Sequence, residues 1–173
     1  MNPPVRLPAM NSLRIRPMRP DEISIAVNGA TAEGWNPGLA DDACFTAADP
    51  EGFFIGELKG ALAATVSCVN YGASFALLHF YTVRKDLRGR GYGLRIWNAA
   101  IAHAGPRVIG LDGVLAQQQN YTKSGFELAY ANVRRWVSLI VADLSTGKWA
   151  VPGAYSKNGD NCQMQLRRRV RTH

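Results

Sequence analysis

The residues best suited to chemistry concentrate in one hexapeptide, Arg88-Gly89-Arg90-Gly91-Tyr92-Gly93. Three glycines within six positions let the backbone turn sharply and aim successive N–H groups at one point. Arg88 and Arg90 add permanent cations whose planar forks match phosphate oxygens. An apolar run, Phe75 to Val83, precedes the stretch, and an amphipathic run, Leu94 to Ala104, follows it. Strand, glycine turn and helix start together suit an anion, because a helix begins with unpaired N–H groups and a partial positive charge. The order therefore suggests a phosphate-bearing ligand. An arginine-rich surface turn is the alternative that the hexapeptide alone leaves open.

Two common glycine loops do not fit. No Gly-x-x-x-x-Gly-Lys-Ser/Thr string occurs, which excludes a Walker loop. Leu94 stands where a dinucleotide fingerprint counted from Gly89 needs its third glycine. The spacing that fits is Arg-x-x-Gly-x-Gly, from Arg88 through Gly91 to Gly93. Downstream, Tyr121 is followed after three residues by Gly125-Phe126. With these two motifs in this order, and room between them for a helix, a strand and a second helix, the chain resembles the GNAT superfamily of N-acetyltransferases. The wording Leu111-Asp112-Gly113-Val114, Gln117-Gln118, Asn120-Tyr121 further resembles a branch whose members often carry a second acetyltransferase-like domain. Val114 stands where the family usually has an Asn, seven residues before Tyr121.

The resemblance implies an α/β fold with a mixed, mostly antiparallel central sheet flanked by helices. It implies acetyl-CoA as cofactor and direct transfer of its acetyl group to a primary amine of a small molecule or peptide. Arg88, Gly89, Arg90, Gly91, Tyr92 and Gly93 would grip the pyrophosphate. The backbone of Tyr81, Thr82 and Val83 would pair with the pantetheine arm, one amide there serving the oxyanion.

The reaction also needs proton carriers. Tyr121 is the candidate general acid, since a phenol stays protonated near neutral pH and can donate to a departing thiolate; a tyrosine packed ahead of a glycine helix cap is the plainer reading. For the general base, the position at which many family members place a Glu corresponds to Leu77. His79 shares a face with Leu77 and Tyr81 by strand alternation and titrates near neutrality, which makes it the candidate. A packed strand histidine, with water carrying the proton, is the competing reading. Trp35 and Asn36, in a turn before a second helical stretch, are placed to line an acceptor site.

The elements that must position these residues are legible in outline. Leu13 to Arg16 reads as a strand, and Pro20-Asp21-Glu22 opens a helix whose inner face carries Ile23, Val27 and Ala30. Leu39 to Ala48 reads as a second helix. Gly52 to Leu58, a Lys59-Gly60 turn, Ala61 to Val69 and Phe75 to Val83 make an antiparallel meander. The helix after the glycine loop carries Leu94, Trp97 and Ile101 on one face and stops at Gly105-Pro106. It serves as the crossover to a parallel strand, Val108 to Leu111. Phe126 to Val133 and Trp136 to Ala142 supply two more strands, and the polar sequence beyond Leu144 reads as loop. Residues 1–12 are expected to be disordered, 13–143 to form the acetyltransferase domain, and 144–173 to form a basic, flexible tail.

Composition bounds the remaining possibilities. The chain has 173 residues and a net charge of +7, of which the last 37 residues carry +4. A basic tail permits nucleic-acid contact, but without interleaved aromatics a solvated tail is favoured. Three irregularly spaced cysteines form no metal or redox pair, so a reduced, cytoplasmic setting is the default. No apolar run approaches a membrane span. Edge strands would permit a homodimer. Two further readings remain open, an acetyltransferase acting on aminoacyl-tRNA and a silent sensor that keeps the acyl-CoA groove without turnover.

Overall fold

The computed structural model describes residues 13–134, 141–143, 148–150 and 161–168, with side chains described as far as Tyr130. The expected disordered segment 1–12 lies outside the described residues. By contacts the chain divides into two compact units, one made of the chain up to Leu111 together with the residues from Arg167 on, the other running from Asp112 to Leu166.

The first unit is built on strands in the order β1 (Arg14–Pro17), β2 (Phe53–Leu58), β3 (Ala61–Tyr71), β4 (Phe75–Val83) and β5 (Val108–Val114), the last belonging to it as far as Leu111. The first four are antiparallel neighbours, and β4 and β5 are parallel from Phe75↔Val108 to Leu78↔Leu111. This is the mixed, mostly antiparallel sheet that the motifs imply. Lys59 and Gly60 both have left-handed backbones, φ 53° and 78°, which suits a tight turn between right-twisted strands. Helices α1 (Ile23–Ala32), preceded by a 3-10 turn at Pro20–Glu22, α2 (Asp41–Ala48) and α3 (Tyr92–Ala104) pack on this sheet. One core cluster joins Ile23, Ala26 and Ala30 of α1 to Phe53, Ile55, Val69 and Phe80 of the strands.

Helix α3 departs from its expected face. Tyr92, Ile96, Trp97, Ala100 and Ala104 are buried, whereas Leu94 is 60 % exposed. The inner stripe follows the small residues Ala100 and Ala104, which let the helix lie close to the sheet, and Leu94 falls outside it.

In the second unit, α4 (Gln118–Lys123) precedes β6 (Glu127–Arg134), which lies beside β9 (Asn161–Arg168). A short hairpin joins β7 (Val141–Asp143) to β8 (Lys148–Ala150). Strands β8 and β9 occupy sequence expected to be loop. The apolar/polar alternation Asn161-Cys162-Gln163-Met164-Gln165-Leu166 carries a period-two strand signal that the surrounding Gly, Asn and Lys content masked. The remainder of the expected tail lies outside the described residues.

An ion cluster fastens β1 to its neighbours. Arg16 lies 2.7 Å from Glu22 and 2.8 Å from Glu57. The Arg16 guanidinium, helped by the Arg19 N–H, pulls the Glu22 carboxyl down to about 2 from an ordinary 4.5. A carboxylate whose folded pKa is depressed contributes stability above its unfolded pKa and loses it as pH falls through the folded one. The thermal midpoint is therefore expected to drop between pH 4.5 and 2, and the drop to be shallower in Glu22→Gln. Parallel midpoint curves for the two proteins would contradict this assignment.

Candidate active site

The glycine loop is held by two buried anchors. Leu87 and Tyr92 sink into a cluster with Leu13 and Ala63, leaving Arg88 to Gly91 at the surface between them. The Tyr92 ring is thus committed to the core, and only its backbone faces the loop. Gly89 and Gly91 adopt φ 74° and 80°, a left-handed region that L side chains rarely enter. A Cβ at either position would meet nothing within 4 Å, so the loop's outer surface is open. Gly91 is also the residue from which α3 starts, so the loop runs straight into that helix's unpaired N–H groups. Gly93 is small for a different reason. A Cβ there would lie 2.4 Å from the Tyr81 hydroxyl oxygen and 3.0 Å from Val83 Cγ2, so its absence lets α3 start against the end of β4.

The two arginines differ. Arg90 is exposed on the loop. Arg88 folds back: its Nε donates to the Val83 carbonyl at 2.9 Å, and its Nη2 pairs with Glu33 just past the end of α1. Its guanidinium therefore ties the loop to β4 and α1.

Strand β4 is irregular where it approaches the loop. Thr65 and Ser67 of β3 pair with Thr82 and His79, so between these pairs Val66 alone stands against two residues, Phe80 and Tyr81. The extra residue is accommodated at Phe80, whose φ of 49° is left-handed and costs about 1–2 kcal/mol for a side chain of this kind. The bulge breaks the expected alternation. His79 and Phe80 both lie against Phe45 of α2, with ring centroids 5.1 and 5.9 Å away, while Tyr81 meets Trp97 of α3 at 5.1 Å. His79 and Tyr81 therefore contact different helices, contrary to the shared face that simple alternation implies.

Comparison with known proteins decides the family. Residues 18–126 match the acetyltransferase (GNAT) family. The chain belongs to it. It is 40 % identical over 119 residues to holothin acyltransferase from Pseudoalteromonas sp. (strain SANK 73390). That match covers 69 % of this chain and 40 % of the relative, so the chain spans about two-fifths of that protein's length. Among solved structures it resembles Ard1 from Thermoplasma volcanium, with TM-score 0.66, 15 % identity, and coverage of 92 % and 99 % of the two chains. It also resembles Arabidopsis thaliana Naa50 in complex with the bisubstrate analogue CoA-Ac-MVNAL, with TM-score 0.63, 13 % identity, and coverage of 92 % and 99 %. At these identities the structures speak for the fold.

The other residues expected from the GNAT motifs fall as follows. Tyr121 lies in α4 of the second unit, half-buried, and its carbonyl accepts the Phe126 N–H at 3.1 Å as the helix ends at Gly125, φ 81°. Burial pushes the Tyr121 phenol above its ordinary range, with the Val114 backbone pulling the other way. The phenol is thus kept protonated throughout the neutral range, as an acid requires. Trp35 packs on the core cluster beside Ile25, Val27 and Phe45, while Asn36 is exposed. Among the described residues no group of three or more His, Cys, Asp or Glu side chains converges as a metal site would, and no helix is long and apolar enough to cross a membrane.

Sequence reasoning missed three features: the bulge at Phe80, the Glu33 partner of Arg88, and a pair of bonded hydroxyls, Thr65 and Thr82. None has a local signature, because each depends on residues brought together by strand pairing or helix packing.

Proposed function

We propose that the protein transfers the acetyl group of acetyl-CoA to a primary amine of a small molecule or peptide. The observation that carries this reading is the loop itself, with left-handed Gly89 and Gly91 opening outward at the start of a helix seated against β4. Such a surface of backbone donors suits a pyrophosphate. The N–H groups from Gly89 to Gly93 take the phosphates, with Arg90 adding an exposed cation. Arg88 contributes by fixing the loop. Backbone groups from Tyr81 to Val83 hold the pantetheine arm, and an amide there stabilises the negative oxygen formed on attack.

In the reaction the amine nitrogen bonds to the thioester carbon and the C–S bond breaks. Tyr121 gives the departing sulfur its proton, and the amine's surplus proton leaves through His79 or water. Trp35 and Asn36 contribute to acceptor binding. The relative's name supplies a first acceptor to test, holothin.

The test is calorimetry with coenzyme A followed by turnover of acetyl-CoA against holothin and a panel of primary amines and peptides. Micromolar binding and turnover on at least one acceptor are expected. Absence of binding by folded protein overturns the reading. Binding without turnover on any acceptor favours the sensor instead.

A further inference from the structure

Thr65 is 1 % exposed, yet its hydroxyl is fully engaged. Its Oγ1 donates to the carbonyl oxygen of Phe80 at 3.0 Å and lies 2.8 Å from Thr82 Oγ1. A hydroxyl has one proton to give. With the Thr65 proton on the Phe80 carbonyl, the second bond must be donated by Thr82. The result is a directional chain from the Thr82 hydroxyl through Thr65 to the Phe80 carbonyl. Gly29 of α1 closes over it, since a Cβ there would come within 3.2 Å of Thr82 Oγ1 and 3.9 Å of Thr65 Oγ1. Glycine disfavours a helix interior, so its presence here fits a need for close approach.

The acceptor of this chain is the carbonyl of the bulge residue, the left-handed Phe80. A peptide unit is planar and trans, so its C=O and N–H point in opposite directions. Holding the Phe80 carbonyl toward Thr65 on β3 sends the N–H of the same peptide, that of Tyr81, away from β3. A left-handed phenylalanine is strained, and the peptide would relax by rotation without a buried donor on one side. The hydroxyl chain opposes that rotation.

We infer that Thr65, assisted by Thr82, is a positioning residue that fixes the plane of the Phe80–Tyr81 peptide and thereby the alignment of β4 backbone with the bound acyl thioester. This rests on the acyl-CoA reading above. Thr65 is buried beneath the strand surface and the glycine loop lies beyond the end of β4, so the expected effect is on polarisation of the thioester and not on the grip on the nucleotide end.

Infrared difference spectra of acetyl-CoA labelled with carbon-13 at the thioester carbonyl test this directly. In the unaltered protein the carbonyl band is expected to move to lower frequency on binding, as a hydrogen-bonded carbonyl does. Thr65→Val, which keeps the side-chain shape and removes the hydroxyl, should lose most of that displacement, and Thr65→Ser should restore it. Affinity for coenzyme A itself, which lacks the acyl group, should stay within about threefold in all three proteins. Should Thr65→Val not fold, Thr82→Val carries the test with a partial loss of the displacement. An undiminished band displacement in a folded valine variant overturns the proposal, as does a serine variant that behaves like valine. Failure of the unaltered protein to bind coenzyme A overturns instead the reading on which the inference rests.

Discussion

Valine in place of Gly91 is expected to weaken coenzyme A binding by about 100-fold, equivalent to about 2.7 kcal/mol. The backbone at this position is left-handed, φ 80°, and a β-branched residue is strongly excluded from that region. The variant must either keep the turn under strain or rotate out of it. Rotation would redirect the N–H groups between Gly89 and Gly93 that the phosphates are proposed to meet. Steric blockage is not the cause, because a Cβ at Gly91 has nothing within 4 Å in the protein. Gly72 supplies the control. It is also left-handed, φ 63°, and also open, but it lies in the β3–β4 turn, at the opposite end of β4 from the loop. Gly72→Val should lower the thermal midpoint and leave coenzyme A affinity within about twofold. Calorimetry on both variants checks the pair, and equal losses of affinity would assign the effect to general destabilisation.

The second large effect is expected at Tyr121. Phenylalanine there removes one hydroxyl from a half-buried ring and should reduce kcat by about 100-fold, within the range for loss of a positioned acid. The KM for acetyl-CoA should change little. The pH profile separates a proton donor from a packing residue. Burial raises the phenol above its ordinary value of 10, so it stays protonated through neutral pH, and as the proposed acid it should give kcat an alkaline limb above that value. In Tyr121→Phe that limb should vanish along with most of the rate. A variant with a normal kcat, or one that keeps the full alkaline limb, would remove Tyr121 from the chemistry.

What could be read from the sequence depended on how far apart the cooperating residues lie. The glycine loop was legible because its requirements are local: positive φ at Gly89 and Gly91, a helix start at Gly91, and an apolar strand just before. The bounds Phe75–Val83 emerged intact because turns flank that strand on both sides. Tyr121 and Gly125 were legible for the same reason, as a short helix and its cap. By contrast, the Thr65–Thr82 bond joins residues 17 positions apart, and the inner face of α3 was set by what the sheet offered it. The bulge at Phe80 was hidden because Leu77-Leu78-His79-Phe80-Tyr81 is apolar on both sides of the chain, so no break in alternation shows. Placing His79 and Tyr81 on one face was the direct cost of that silence.

The folding-back of Arg88 has a practical consequence for protein engineering. Its guanidinium is anchored at Val83, five positions back, and at Glu33, 55 positions back. A designer who grafts only the stretch from Arg84 to Gly93 onto another scaffold would transplant a cation without its counterweight. A host that supplies a carboxylate beside the loop, as Glu33 does here, would restore that anchor.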